Sequence, residues 1–127
     1  IPICTQQNVA RTPYSPLAAG RLSRLEWDAD TKRSRTDKTA VSKYDSTRES
    51  DYGIVLRVHE LAQKHAATMT QISLARQFAR GVASPIIGAT KARYLDDAAG
   101  ALDVRLSAED VAYLEELYVP HRVVGAL

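Results

Sequence analysis

Apolar residues change their spacing along the chain, and the changes mark its elements. Ile54, Val58, Leu61 and Ala62 recur at i, i+4, i+7 and i+8, the spacing of one helical face. This predicts a helix over about 47–65. Ser46-Thr47-Arg48-Glu49 before it fits a capping box, in which serine and glutamate satisfy orphan amides reciprocally. Thr68-Met69-Thr70-Gln71 is a second such box. It opens a helix over about 69–80 with Ile72, Ala75, Phe78 and Ala79 on one face, and Gly81 suits its C-terminal cap. Thr90 can cap a helix with Leu95, Ala98, Ala99 and Leu102 inward. Ser107-Ala108-Glu109-Asp110 caps a last helix with Val111, Leu114 and Leu117 inward.

Two short runs read as strands. Residues 9–14, Val-Ala-Arg-Thr-Pro-Tyr, end between Pro13 and Pro16, which cannot donate to a ladder. Residues 85–89, Pro-Ile-Ile-Gly-Ala, form an apolar run with turn residues on both sides, as in a buried parallel strand. The two are expected to be parallel neighbours with the 69–80 helix as their crossover. Alternating strands and helices argue an α/β fold built of βαβ units. Two strands cannot form a parallel sheet with both faces covered. The chain also opens on Ile1-Pro2. It therefore reads as one piece of a larger domain.

From Ala18 to about Asp45 the large apolar residues are few and show no period. A stretch of that length is usually a lid or binding loop. It is also where the basic charge lies. Residues 1–48 hold nine Lys/Arg against five Asp/Glu, whereas residues 91–127 hold four against seven. The net charge of +2 is too small to indicate a nucleic-acid protein. No apolar run is long enough to cross a bilayer. A single cysteine, Cys4, excludes an internal disulfide and any cysteine-based zinc site, and it fits a cytoplasmic setting.

Catalytic chemistry is hard to find. The only imidazoles are His59, His65 and His121, and the first two lie on different helix faces. They read as surface or helix-end residues. Asp96-Asp97 and Glu115-Glu116 are adjacent pairs whose members point apart, as on solvated helix faces. No metal-ligand spacing, P-loop or nucleophile motif is present.

Anion binding is better represented. Ser15-Pro16-Leu17-Ala18-Ala19-Gly20-Arg21 follows the first strand, and its small residues let backbone amides approach a ligand. Arg21 can pair with phosphate. Gly88-Ala89-Thr90-Lys91 lies where the second strand gives way to a helix, whose N-terminus favours anions.

PYSPLAAGRL (Pro13 to Leu22), SPIIGATKARYLDDA (Ser84 to Ala98) and YVPHRVVG (Tyr118 to Gly125) resemble the C-terminal part of an aldo-keto reductase. The likeness runs in order over essentially the whole chain. It is nearest to a bacterial branch related to aryl-alcohol dehydrogenases and potassium-channel beta subunits. The resemblance implies a (β/α)8 TIM barrel that uses NADPH to reduce aldehydes and ketones. Residues 1–127 would be one C-terminal segment of that single domain. It would bring strands seven and eight, their helices and a cofactor loop at about 18–45.

By this likeness Tyr14 stacks on the nicotinamide ring. Ser15, Leu17 and Gly20 hold the pyrophosphate, and Arg21 folds over it. Gly88 and Thr90 match the adenosine phosphate site. Lys91, Arg93 and Tyr94 lie beside the 2′-phosphate. Asp97 matches an acid that bonds the adenine amino group, with Ala98 where an asparagine is common. Arg33 or Arg35 could clamp the phosphates. The family's catalytic Asp, Tyr, Lys and His lie on earlier strands, in segments this chain does not contain, so no catalytic residue is assigned.

The implied partners are a small carbonyl substrate and the remainder of the barrel. Neither nucleic acid nor membrane is expected, and a homo-oligomer is allowed. One alternative is a non-catalytic nucleotide-binding or regulatory subunit derived from the barrel. A helix-turn-helix reading of residues 71–81 fails, because Ala79 stands where its glycine belongs.

Overall fold

The structure is a computed structural model that describes residues 1–27 and 38–121, without the side chain of Thr39. Its elements are α1 (Pro2–Gln6), a 3-10 turn (Ala18–Ser23), α2 (Lys38–Tyr44), a second turn (Asp45–Thr47), α3 (Arg48–Lys64), α4 (Met69–Ala79), α5 (Ala92–Ala99), a third turn (Gly100–Leu102) and α6 (Ala108–Glu115).

α3, α4 and α6 carry the core. Val55, Val58, Leu61 and Ala62 of α3 meet Met69 and Ile72 of α4 and Leu114 of α6. Ile72 is wholly buried, a contribution of about 1.5–3 kcal/mol for a side chain of that size. Leu22 of the first turn, with Leu25 and Trp27 just after it, closes the cluster. The inner face of α3 is rotated slightly from expectation, with Val55 buried and Ile54 only half-buried.

Both boxes at Thr68 and Ser107 form. Thr68 Oγ1 and Ser107 Oγ each accept the amide three residues on, at 3.1 Å, and Gln71 and Asp110 reach back. The box at Ser46 does not. The chain turns through Asp45–Thr47 first, and Thr47 becomes the N-cap. Thr47 Oγ1 instead donates to Asp51 at 2.6 Å. At the far end of α4, the Gly81 amide donates to Phe78 and that of Val82 to Gln77. This αL ending holds Gly81 at φ +73°, where glycine alone is unstrained.

The two expected strands are not formed as strands among the described residues. What remains is one parallel bridge, Tyr14 with Ile86. It is flanked by bonds from the Ala83 amide to Arg11 O at 3.0 Å and from the Ile86 amide to Pro13 O at 2.8 Å. The segments thus run parallel with α4 between them in sequence, as expected. Pro13 and Pro85 remove ladder donors, and Val9 and Ile86 stay exposed. Arg11 reinforces the pairing by donating to the carbonyls of Arg80 and Gly81 at 2.8 and 2.9 Å.

α5 also departs from expectation. Its inward set is not covered: Leu95 and Leu102 are exposed, and Ala101 alone of that region is buried. Leu117 and Ala79 are exposed too. The stretch 18–45 is not one loop, since the first turn and α2 occupy its described parts.

Candidate functional site

The first anion segment is an irregular turn with unusual backbone. Ser15, Ala18 and Ala19 have φ of 56°, 48° and 56°, and Gly20 has 91°. Left-handed geometry costs an alanine about 1 kcal/mol or more. The turn is held despite that. The Ala18 amide donates to Ser15 O, the Gly20 and Leu22 amides donate to Leu17 O, and Ser23 Oγ donates to Gly20 O. Gln77 of α4 donates to the carbonyl of Pro16, which is buried. Tyr14 stands at the entrance, 73% exposed.

Arg21 does not lie free for a phosphate. Its guanidinium pairs with Asp45 and lies 4.9 Å from the Trp27 ring centroid and 5.8 Å from that of Tyr44. It anchors α2 to the first turn.

The second segment is open. A Cβ on Gly88 would meet nothing within 4 Å. Thr90 is not the cap of α5. Lys91 takes that position in extended geometry, with no side-chain cap bond. Arg93 donates to the Tyr94 hydroxyl at 3.3 Å and lies 5.1 Å from its ring centroid. That hydrogen bond, then the charges of Arg93 and Lys91, pull the Tyr94 phenol below its ordinary range against the effect of burial. Arg24 adds to the same field.

Arg24 is the residue that sequence reasoning missed. It comes from the first segment, beside Gly20, yet it acts on Tyr94 of the second. Its buried Nε has no hydrogen-bond partner. The only signal in the sequence was a cation four residues after the glycine. Lys91 and Arg93 thus flank Tyr94 at the start of α5, and Arg24 adds only to the field there.

Asp97 is held from elsewhere. Thr68 Oγ1 donates to its Oδ1 at 2.7 Å, and Gln71 Nε2 donates to its backbone carbonyl at 3.1 Å. Arg33 and Arg35 lie outside the described residues.

A cavity of about 460 Å³ lies behind the first turn, lined by Arg21, Trp27, Val58, Leu114 and His121 among others. Its carboxylates are committed. Asp51 pairs with His121 at 2.9 Å, and Glu115 takes Arg76 Nε and Arg80 Nε at 2.9 Å each. Glu115 is thus a half-buried clamp rather than part of a solvated face. The hydrogen bond from Arg80 leads in holding its carboxyl at about 2. Among the described residues no cluster could hold a metal ion. No helix there is long and apolar enough to cross a membrane.

Exposed cations at the start of α5, an uncovered glycine turn and an exposed tyrosine fit a phosphate-bearing dinucleotide.

The Aldo/keto reductase family matches residues 1–119. The chain is 36% identical to versiconal hemiacetal acetate reductase of Aspergillus parasiticus, over 97% of its own length and 36% of the relative's. It is 37% identical to a protein named as an aryl-alcohol dehydrogenase of Schizosaccharomyces pombe, over all of this chain and 36% of that one. An aldo-keto reductase of Metarhizium robertsii is also 37% identical, over 96% of this chain and 33% of its own. The chain thus spans about a third of the length of these relatives. All three are fungal, so they support the aryl-alcohol dehydrogenase likeness without a bacterial branch. With most of its residues matched by the family's pattern, the chain belongs to the aldo/keto reductase family.

Proposed function

We propose that this chain is the C-terminal, cofactor-holding portion of an NADPH-dependent aldo-keto reductase that reduces aldehydes and ketones to alcohols. Family membership supports an oxidoreductase with a nicotinamide cofactor in a (β/α)8 barrel. The observation that carries NADPH in particular is the pair of cations at the start of α5, Lys91 at its N-cap and Arg93 on the Tyr94 hydroxyl at 3.3 Å, beside the open turn at Gly88. A 2′-phosphate brings up to two negative charges, and exposed cations at the start of a helix are what it needs.

In this reading the Tyr14–Ile86 bridge is the start of strands seven and eight pairing. The exposed Val9, Ile86, Leu95 and Leu102 are then the surface that the remainder of the barrel covers. Tyr14 is the stacking surface for nicotinamide, and the 15–20 turn faces the pyrophosphate. Arg21 acts by fixing α2 and not by direct phosphate contact. Asp97 reaches adenine only through the carboxylate oxygen that Thr68 leaves free. The catalytic groups belong to the missing strands, and the cytoplasm is the setting we favour. When bound, the cofactor supplies hydride; the residues present here bind and orient it.

The test uses the full-length protein with NADPH and a panel of small aldehydes. Consumption of NADPH matched one-to-one by alcohol formed is the expected result. Tight NADPH binding with no consumption on any aldehyde would favour the regulatory subunit instead.

A further inference from the structure

α2 places a charge beside Tyr14 that spacing along the chain does not reveal. Arg21 reaches from the first turn to Asp45 just after α2, between the rings of Trp27 and Tyr44. These contacts seat α2 beside the segment that leaves Tyr14. Lys43, in its last turn, then brings Nζ to 3.4 Å from the Tyr14 hydroxyl and 5.5 Å from the ring centroid. The ammonium is nearer the phenol oxygen than the ring centre. It therefore sits at the oxygen edge and not against a ring face, and Tyr14 as a whole is 73% exposed. Asp45, the acid nearest to Lys43 in sequence, is already held by Arg21.

We infer that Lys43 selects the redox state of the cofactor by placing a fixed positive charge at the edge of the tyrosine on which nicotinamide stacks. This rests on the reading of Tyr14 given above. The two forms of the cofactor share their phosphates, ribose and adenine. They differ at the nicotinamide ring, which is neutral when reduced and carries one positive charge when oxidised. A neighbouring ammonium therefore repels one form and leaves the other almost untouched. Discrimination by repulsion needs no extra contact to the favoured form. The effect of one charge near a protein surface corresponds to about three- to tenfold in a dissociation constant. A weakened oxidised form also leaves sooner after hydride transfer.

The experiment titrates the full-length protein with NADPH and with NADP+ separately, following tryptophan fluorescence. Lys43→Met removes the charge and keeps an apolar stem. The expected result is NADP+ binding about three- to tenfold tighter, with NADPH changed less than about twofold. Lys43→Arg should keep the wild-type ratio. Tyr14→Phe keeps the ring but removes the oxygen that Lys43 contacts, and should shift the ratio part of the way in the same direction. An unchanged ratio in Lys43→Met overturns the inference, as does equal weakening of both forms, which would make Lys43 a support for α2. A wild-type protein that binds neither form would overturn the reading of Tyr14 itself. That outcome is separable from the other two.

Discussion

Replacing Asp110 with alanine should destabilise the protein by about 1–3 kcal/mol, the usual cost of leaving the partners of a buried hydrogen-bonding group unsatisfied. The Asp110 side chain is only 4% exposed. Its Oδ1 takes the Lys64 ammonium at 2.6 Å, and its Oδ2 takes His65 Nε2 at 2.8 Å and the Ser107 amide at 3.2 Å. One carboxylate thus ties the C-terminal end of α3 to the cap of α6, while its own amide closes the capping box with Ser107. Its loss removes both links, next to Val111 and Leu114 of the core. Asp110→Asn can keep part of the cap without the charge, so its cost should be smaller. Urea unfolding of the full-length variants measures both. A loss under about 1 kcal/mol for alanine would show that the ends of α3 and α6 are held by packing alone.

The same group gives a pH dependence with a definite sign. Burial by itself would raise the Asp110 carboxyl. The Lys64 ammonium, the Ser107 amide and His65 outweigh it and hold the group at about 2, against an ordinary 3.8. A group depressed on folding contributes fully above its unfolded value and loses that contribution as pH falls through its folded one. The loss should therefore run between about pH 4 and pH 2 and amount to about 2 kcal/mol. Glu115, also held at about 2 by Arg80 and Arg76, titrates over the same window and steepens the loss.

The second large effect concerns the cofactor. Lys91→Ala combined with Arg93→Ala should raise the Michaelis constant for NADPH about ten- to hundredfold and hardly change that for NADH. A charge-assisted phosphate contact contributes about 1.5–3 kcal/mol, and each 1.4 kcal/mol is tenfold. Only the cofactor with a 2′-phosphate can lose such a contact. Arg24→Ala should act in the same direction, since its guanidinium joins the field at Tyr94. Equal weakening of both cofactors would mean that the pair supports α5 instead. Unchanged constants would move the 2′-phosphate to other residues, Arg33 and Arg35 first among them.

Much of the helical framework could be read from local chemistry. The boxes at Thr68 and Ser107 and the glycine after α4 are satisfied within a few residues, so spacing reveals them. The failure at Ser46 is equally local: a serine can cap only if the chain enters the helix there, and the Asp45–Thr47 turn shifts the entry by one residue. The strands and the inner face of α5 were less legible. In the proposed reading their apolar residues answer to the remainder of the barrel, so their spacing describes a larger sheet than the described residues form. The site divides in the same way. Gly88, Lys91, Arg93 and Tyr94 lie together in sequence and in space. Arg24 lies about seventy residues from Tyr94 in sequence, and only folding lets its charge act there. Arg21 reads as a phosphate ligand from position alone, but Asp45, Trp27 and Tyr44 claim it.

Hydrogen–deuterium exchange on the full-length protein, with and without NADPH, shows whether the two segments act as one cofactor site. Amides that a ligand covers or holds exchange more slowly. If the two segments together hold the cofactor, NADPH should protect peptides covering residues 14–24 and 88–97, with those of α6 unchanged. NADH should protect 14–24 while leaving 88–97 less affected. Protection confined to other parts of the protein, or none in either segment at saturating NADPH, would contradict the account.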